Sequence, residues 1–208
     1  MPQSPSAHGG RPVLEFWYEF ASTYSYLSAM RIEELATKAG VAVRWQPFLL
    51  GPIFVAQGWN TSPFNIYPAK GRYMVRDMER LAAERGLPFR MPASFPAHSL
   101  LAARIALIGA AEDWIAPFSR AVYQAQFGSG ADIADKAVLA QVLKSLGQDA
   151  EALFARAGTD EIKGRLKAQS AAAAEKGLFG APSFVTGDGE LFWGDDRLEK
   201  ALAWVTHG

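Results

Sequence analysis

The 208-residue chain contains no cysteine. Disulfides, thiolate metal sites and dithiol redox chemistry of its own are therefore excluded, and the main mark of a secreted chain is missing. Histidine is scarce as well: His8 and His207 lie in the terminal stretches and His98 stands alone, so no histidine metal cluster is expected. Neither sign of charge is in excess. Lys and Arg total 21, Asp and Glu total 21, and no basic run is interleaved with aromatics. That balance argues against nucleic acid or an anionic membrane surface as a partner. No apolar run approaches the roughly 18 residues of a membrane span. The opening MPQSPSAHGGRP has no apolar signal core. Residues 1–12 are expected to form a disordered tail, and a cytoplasmic location follows by default.

What remains is the composition of a globular protein, 50% apolar and 20% charged, long enough for one good core and a second lobe. Val13 to Phe20 is dense in aromatic and β-branched residues, as a strand covered on both faces is. Tyr24, Leu27, Met30, Leu35 and Ala39 then recur at helical spacing up to Gly40, a C′ residue. VAVRWQPFLL, Val41 to Leu50, reads as a second strand, completing a βαβ unit. Helices are expected over Pro68–Arg85, Pro96–Ala111 and Asp113–Gln126, and from Asp135, Asp149 and Thr159. SFVTGDGELFW reads as a hairpin and Arg197–Trp204 as a closing helix. The order βαβ, helical block, ββα predicts an α/β protein. Its four-stranded unit takes in residues 13–54 and 178–206, with residues 55–177 inserted as an all-helical lobe. Clefts between such lobes are common ligand sites.

Four stretches carry candidate chemistry. Ser22, in EFASTYSYL, stands where the first strand ends and a helix begins. Its hydroxyl there lies near free backbone N–H groups and the positive end of the helix dipole, which favours an anion. Serine is also a preferred N-cap, and on local sequence alone the cap is the stronger reading. In FGAPSF, Pro182 reads in isolation as a strand-entry residue; the alternative is a cis Ala181–Pro182 bond that turns the Ala181 N–H and C=O toward an extended ligand. In FWGDDRLEKALAW, Asp196 and Glu199 have capping-box spacing. The same helix start also suits an amino-acid head group, its carboxylate on the N–H groups and its ammonium on Asp196. The fourth stretch, residues 47–73, is rich in aromatics. Phe48, Phe54, Trp59, Phe64 and Tyr67 suit either a pocket for a flat apolar substrate or ordinary packing. His98 is an acid/base candidate, although a lone histidine near a helix start is more often structural.

Taken together, Ser22-Thr23-Tyr24-Ser25 after the first strand, FGAPSF before the third and LFWGDDRL before the last helix resemble the DsbA-like branch of the thioredoxin superfamily. Within it the chain is similar to 2-hydroxychromene-2-carboxylate isomerases and to their relatives, the kappa-class glutathione transferases, from Val13 to about Trp204. The resemblance implies a thioredoxin-like fold with an inserted helical lobe, glutathione as cofactor, a small aromatic substrate and a homodimer. It implies that Ser22 is the catalytic serine and that Ala181, beside cis-Pro182, pairs with the cysteinyl backbone of glutathione. Trp193, Gly194, Asp195 and Asp196 would surround the γ-glutamyl end. Tyr24, Phe54, Trp59, Asn65 and His98 would border the substrate, Asn65 matching a family asparagine. Three departures fall on the substrate side. Thr23 replaces a frequent proline, a family lysine near Phe54 and Val55 is absent with Lys70 not its equivalent, and His98 replaces an asparagine.

With no cysteine in the chain, the thiol of such a reaction comes from glutathione, and Ser22 is a hydrogen-bond donor to its sulfur rather than a covalent nucleophile. The implied activity is glutathione-dependent isomerisation of an aromatic-degradation intermediate. A kappa-class transferase or peroxidase is the alternative within the enzymes. A redox-inactive peptide-binding module is the alternative outside them.

Overall fold

The apolar density of β1 (Val13–Tyr18) has a structural cause: both faces of the strand are covered. Side chains alternate along a strand, so Leu14, Phe16 and Tyr18 enter the main core while Trp17 enters a smaller one on the opposite face. After Ser22 the chain forms α1 (Thr23–Ala29) and α2 (Ile32–Ala39), then β2 (Ala42–Pro47), parallel to β1 with Phe16 opposite Trp45. The computed structural model describes residues 10–207. The tail expected over residues 1–12 thus lies largely outside the described residues.

A helical stretch follows: α3 (Leu50–Ala56), α4 (Pro63–Ile66), α5 (Pro68–Glu84), α6 (Leu100–Ala110) and α7 (Ile115–Tyr123), the last continued by a π-helical turn, Gln124–Gly128. Next come α8 (Lys136–Ser145), α9 (Ala150–Ala157) and α10 (Asp160–Glu175). Asp135, Asp149 and Thr159 cap these three as expected, accepting from Ala137 N at 2.8 Å, Ala152 N at 3.1 Å and Ile162 N at 3.4 Å. Two short strands, β3 (Ser183–Val185) and β4 (Leu191–Trp193), then a 3₁₀ turn at Asp195–Arg197 and α11 (Leu198–His207), end the described chain.

The sheet order is β2-β1-β3-β4, with β3 antiparallel to both β1 and β4. This is the four-stranded α/β unit with many helices that the element order predicts, and the thioredoxin-like arrangement that the resemblance implies. Phe16 stacks on Phe184 at 5.6 Å and meets Trp45 edge-on at 5.0 Å, so three strands share one aromatic centre. The main cluster runs on from there into α5, α6, α7 and α8. On the other face Trp17, Phe48, Ile53, Ala173, Leu178 and Val185 close a separate small cluster. Among the described residues no helix is long and apolar enough to cross a membrane.

Several boundaries differ from the sequence reading. The helix expected through Ala39 breaks at Met30–Arg31, where Arg31 has non-helical φ −129° and sends its guanidinium to Asp195. The second strand stops at Pro47, and Leu50 already opens α3; periodicity alone does not separate a short buried strand from a short buried helix. The helix expected from Pro96 starts at Leu100, with Ser99 at its N-cap position. The next begins at Ile115 rather than Asp113, because Asp113 has φ 60° and no helix runs through that conformation.

Candidate active site

Ser22 is both a cap and something more. Its Oγ accepts from Ser25 N at 3.2 Å, capping α1, and donates to the carbonyl of Ala181 at 2.8 Å, 159 residues away. Ser25, by contrast, is a fully buried helix residue. The peptide bond between Ala181 and Pro182 is cis, not the ordinary strand entry that the local sequence favours, and a second cis bond joins Phe95 to Pro96.

The FGAP and WGDD segments meet at the β3–β4 edge. Gly194 N donates to the carbonyl of Pro182 at 3.0 Å, and Ser183 pairs with Trp193 in register. Both glycines are required by this meeting. Gly180 lies under the Trp193 indole, which occupies the space a Cβ would need. Gly194 has φ 107° and ψ 149°, a conformation open essentially to glycine alone, and a Cβ there would stand 2.7 Å from Asp196 Oδ1. Trp193 is half exposed, its ring 4.9 Å from that of Phe179.

The two adjacent aspartates diverge. Asp195 is buried, and its carboxylate is fully engaged: Oδ1 accepts from Ser28 Oγ at 2.8 Å and Arg31 Nη2 at 3.2 Å, and Oδ2 from Arg85 Nη2 at 2.6 Å. Asp196 is exposed and pairs with Arg197 at 2.6 Å. The capping-box reading of Asp196 and Glu199 is not what forms. Asp196 sits inside the 3₁₀ turn and turns to Arg197, while Glu199 turns to Arg31.

These segments border an open cleft of about 1410 Å³. Ser22, Ala181, Pro182, Trp193, Gly194, Asp195 and Asp196 line one side. Tyr24, Phe54, Trp59 and His98 line the other, with the Phe54 and Trp59 rings 5.6 Å apart. Asn65 is not among the lining residues: its Nδ2 donates to Thr61 Oγ1 at 3.1 Å and to the Phe95 carbonyl at 3.2 Å, and Asn60 faces the cleft in its stead. The aromatic stretch divides likewise. Phe54, Trp59 and Phe64 reach the cleft, whereas Phe48 is core, edge-on to Trp17, and Tyr67 lies outside under the Lys70 ammonium at 4.9 Å. The loop-like reading of this stretch gives way to two short helices, α3 and α4.

Residues the sequence reading did not place also line the cleft: Glu19, Asn60, Lys70, Asp77 and Arg85. Burial, reinforced by the Asp77 carboxylate to which it donates at 2.9 Å, holds the Tyr24 phenol well above its ordinary range. It remains a proton donor at neutral pH. Burial likewise pushes the Glu19 carboxyl up, against hydrogen bonds from Ser99, Leu50 N at 3.0 Å and Ala21 N at 3.4 Å. One signal for Glu19 was in the sequence: an acid between Tyr18 and Phe20, just past the strand and three residues before Ser22. Three lining side chains are cationic. Arg85 pairs with Asp195 and Arg197 with Asp196, whereas Lys70 has no carboxylate partner among the described residues.

Comparison with known proteins places this geometry. The model of the DSBA-like thioredoxin domain matches residues 13–203. A 2-hydroxychromene-2-carboxylate isomerase of Sphingobium xenophagum is 31% identical over 188 residues, 89% of this chain and 94% of that protein. The glutathione S-transferase kappa 2 of Caenorhabditis elegans is 26% identical, over 94% of this chain and 92% of its own. Among solved structures, a 2-hydroxychromene-2-carboxylate isomerase superposes with a TM-score of 0.82 at 29% identity, covering 93% of this chain and 95% of that one.

Proposed function

The chain belongs to the DSBA-like thioredoxin family and, within it, to the 2-hydroxychromene-2-carboxylate isomerases; from that premise we propose that it is a glutathione-dependent isomerase of an unsaturated aromatic carboxylate. The observation that carries the proposal is the Ser22 hydroxyl, 2.8 Å from the Ala181 carbonyl at the cleft side where FGAP and WGDD converge. On the same reading, residues 13–54 and 178–206 form the thioredoxin-like unit and residues 55–177 the inserted helical one.

The residues present fit glutathione. The Ala181 N–H donates to no protein acceptor among the described residues, leaving a free backbone donor beside a carbonyl, the pair an extended peptide needs. Gly180 and Gly194 keep the edge free of Cβ atoms, and the exposed Asp196 carboxylate offers a counter-charge to the γ-glutamyl ammonium. Asp195 contributes differently from the sequence expectation. Its carboxylate is held by Arg31, Arg85 and Ser28, so it shapes the turn that presents Asp196.

Glutathione, held by Ala181, Gly194 and Asp196, would supply a thiol able to add reversibly to a conjugated double bond and so allow rotation there. Ser22 supplies the proton donor at the sulfur. The Ser22 hydroxyl donates to the Ala181 carbonyl at 2.8 Å; a ligand N–H at that carbonyl would free the hydroxyl to turn. A donor at the sulfur favours the ionised form, which is otherwise the minor one for a thiol of pKa about 8.5. Opposite, Phe54, Trp59 and Phe64 offer apolar faces for a planar substrate. Lys70, over the Tyr67 ring and without a carboxylate partner among the described residues, would swing to the substrate's anionic group. Tyr24 borders the same side, its single proton donated to Asp77.

The kappa-class relative supports a second use of the same site, conjugation of an electrophile or reduction of a peroxide. Turnover of 2-hydroxychromene-2-carboxylate against an aryl halide and a hydroperoxide, each with and without glutathione, separates the two. Turnover of the chromene without glutathione would sink the proposal.

A further inference from the structure

Glu19 has no part in the chemistry above, yet its carboxyl is 5% exposed and both of its oxygens are engaged. We propose that Glu19 is a positioning residue: a single buried carboxyl that fixes the two helical walls of the cleft to the turn carrying Ser22. The kinetic consequences rest on the functional reading above; the structural ones do not.

Three separate segments address this carboxyl. Ala21 N, in the Ser22 turn, donates to Oε1 at 3.4 Å. Leu50 N, the first amide of α3, donates to Oε2 at 3.0 Å, and Leu49 before it provides no side-chain cap. Glu19 therefore caps α3 from across the structure, a favourable place for an acid. The third is Ser99, at the N-cap position of α6: its backbone is already helical, with φ −88° and ψ −1°, its hydroxyl makes no capping bond, and it donates to Glu19 Oε1.

The acid is itself pinned. Its backbone carbonyl accepts from Ser22 N and from the Tyr123 hydroxyl, each at 2.9 Å. No Lys, Arg or His pairs with it among the described residues, so its role is not that of an ion-pair partner. Phe54 rides on α3 and His98 precedes α6, so both walls take their distance from Ser22 through this carboxyl. The opposite edge does not. Ala181 to Gly194 is held to β1 by strand pairing.

The test compares Glu19→Ala, Glu19→Gln and Ser99→Ala. Glutathione affinity by calorimetry is expected to stay within about 2-fold of the parent. For 2-hydroxychromene-2-carboxylate, Glu19→Ala is expected to raise KM and lower kcat/KM about 100-fold, the cost of a misplaced reacting pair. Glu19→Gln recovers part of this, since its amide accepts from Leu50 N and donates to Ser99 Oγ but offers Ala21 N no acceptor. Ser99→Ala, which cuts one link of the three, falls between and decides the matter if Glu19→Ala does not fold. A Gln variant as inactive as Ala, with kcat lowered and KM untouched, would make Glu19 a proton-transfer group and overturn the inference; so would equal losses for glutathione and substrate. If the parent binds no glutathione, the functional reading fails first, and hydrogen exchange decides the positioning role. Amides of residues 50–56 and 100–110 should exchange about 10-fold faster in Glu19→Ala, with residues 183–193 unchanged. Uniform acceleration would refute it.

Discussion

The two sides of the cleft are built by different rules. The sheet edge, Phe179 to Asp196, is backbone geometry: strand register, two glycines that admit no side chain, and carbonyl and N–H groups at fixed spacing. The helical side is side-chain geometry, assembled from α3, α5 and the start of α6, and tied together by Glu19 and by the Tyr24–Asp77 bond. Backbone geometry suits a peptide-like cofactor, whose own backbone it matches. Side-chain geometry varies with each substitution.

That contrast can be broken or sharpened by substitution. The largest effect is expected at Asp195, which belongs to the sheet edge but grips Arg31 and Arg85. Asp195→Ala should cost about 3 kcal/mol, the low end for removing one member of a buried ion pair, because both guanidiniums keep some solvent access. A thermal melt within 1 °C or so of the parent would show that the two sides are not coupled there.

Next comes Ser22→Ala. Glutathione should stay bound while its thiol pKa, read by thiolate ultraviolet absorbance, rises by about 1–2 pH units, since a hydrogen bond to a charged group is worth about 1.5–3 kcal/mol. An unchanged titration would remove Ser22 from the sulfur. On the helical side, Lys70→Gln should raise KM about 10-fold for a carboxylate-bearing aromatic and leave that of a neutral electrophile alone. Equal effects on both would return Lys70 to the surface.

Asp196→Ala provides the matching test at the edge. It should weaken glutathione by a factor of about 5, and an analogue lacking the γ-glutamyl amine hardly at all, as for an exposed ion pair. The smallest effect concerns pH. The folded Glu19 carboxyl titrates above its unfolded value, so the stability it contributes is full below the ordinary carboxylate range and drains away as pH rises through the raised value. Melting profiles of the parent and Glu19→Gln should therefore differ in slope across that window, the parent losing more as pH rises. Parallel profiles would contradict the shift.

How far the sequence was readable follows the same division. Read locally, Pro182 pointed to an ordinary strand entry and Asp196–Glu199 to a capping box, and neither forms; the glycines of FGAP and WGDD were legible because a local backbone need leaves a local mark. The three capping residues of the later helices were legible for the same reason. The cap and site readings of Ser22 looked like alternatives; in the fold one hydroxyl serves both contacts. Asn65, Phe48 and Tyr67 were harder. Whether a side chain on a short helix faces a cleft, the core or solvent depends on helices far away in sequence, and no periodicity over four to seven residues fixes it. Lys70 and Arg85 illustrate the limit. Both line the cleft, but only the position of Asp195 shows that Arg85 has a carboxylate while Lys70 has none among the described residues.

The sequence distances across this site also bear on how the protein is made. Ser22 finds Ala181 across 159 residues, Arg31 finds Asp195 across 164, and Arg85 finds it across 110. During synthesis from the N-terminus the helical wall emerges long before the edge it faces, and two arginines wait without their carboxylate. The cleft acquires its floor and its charge balance only when the last hairpin leaves the ribosome. A chain halted before Ala181 would present aromatic wall residues with nothing opposite them, the kind of exposed apolar surface that chaperones bind.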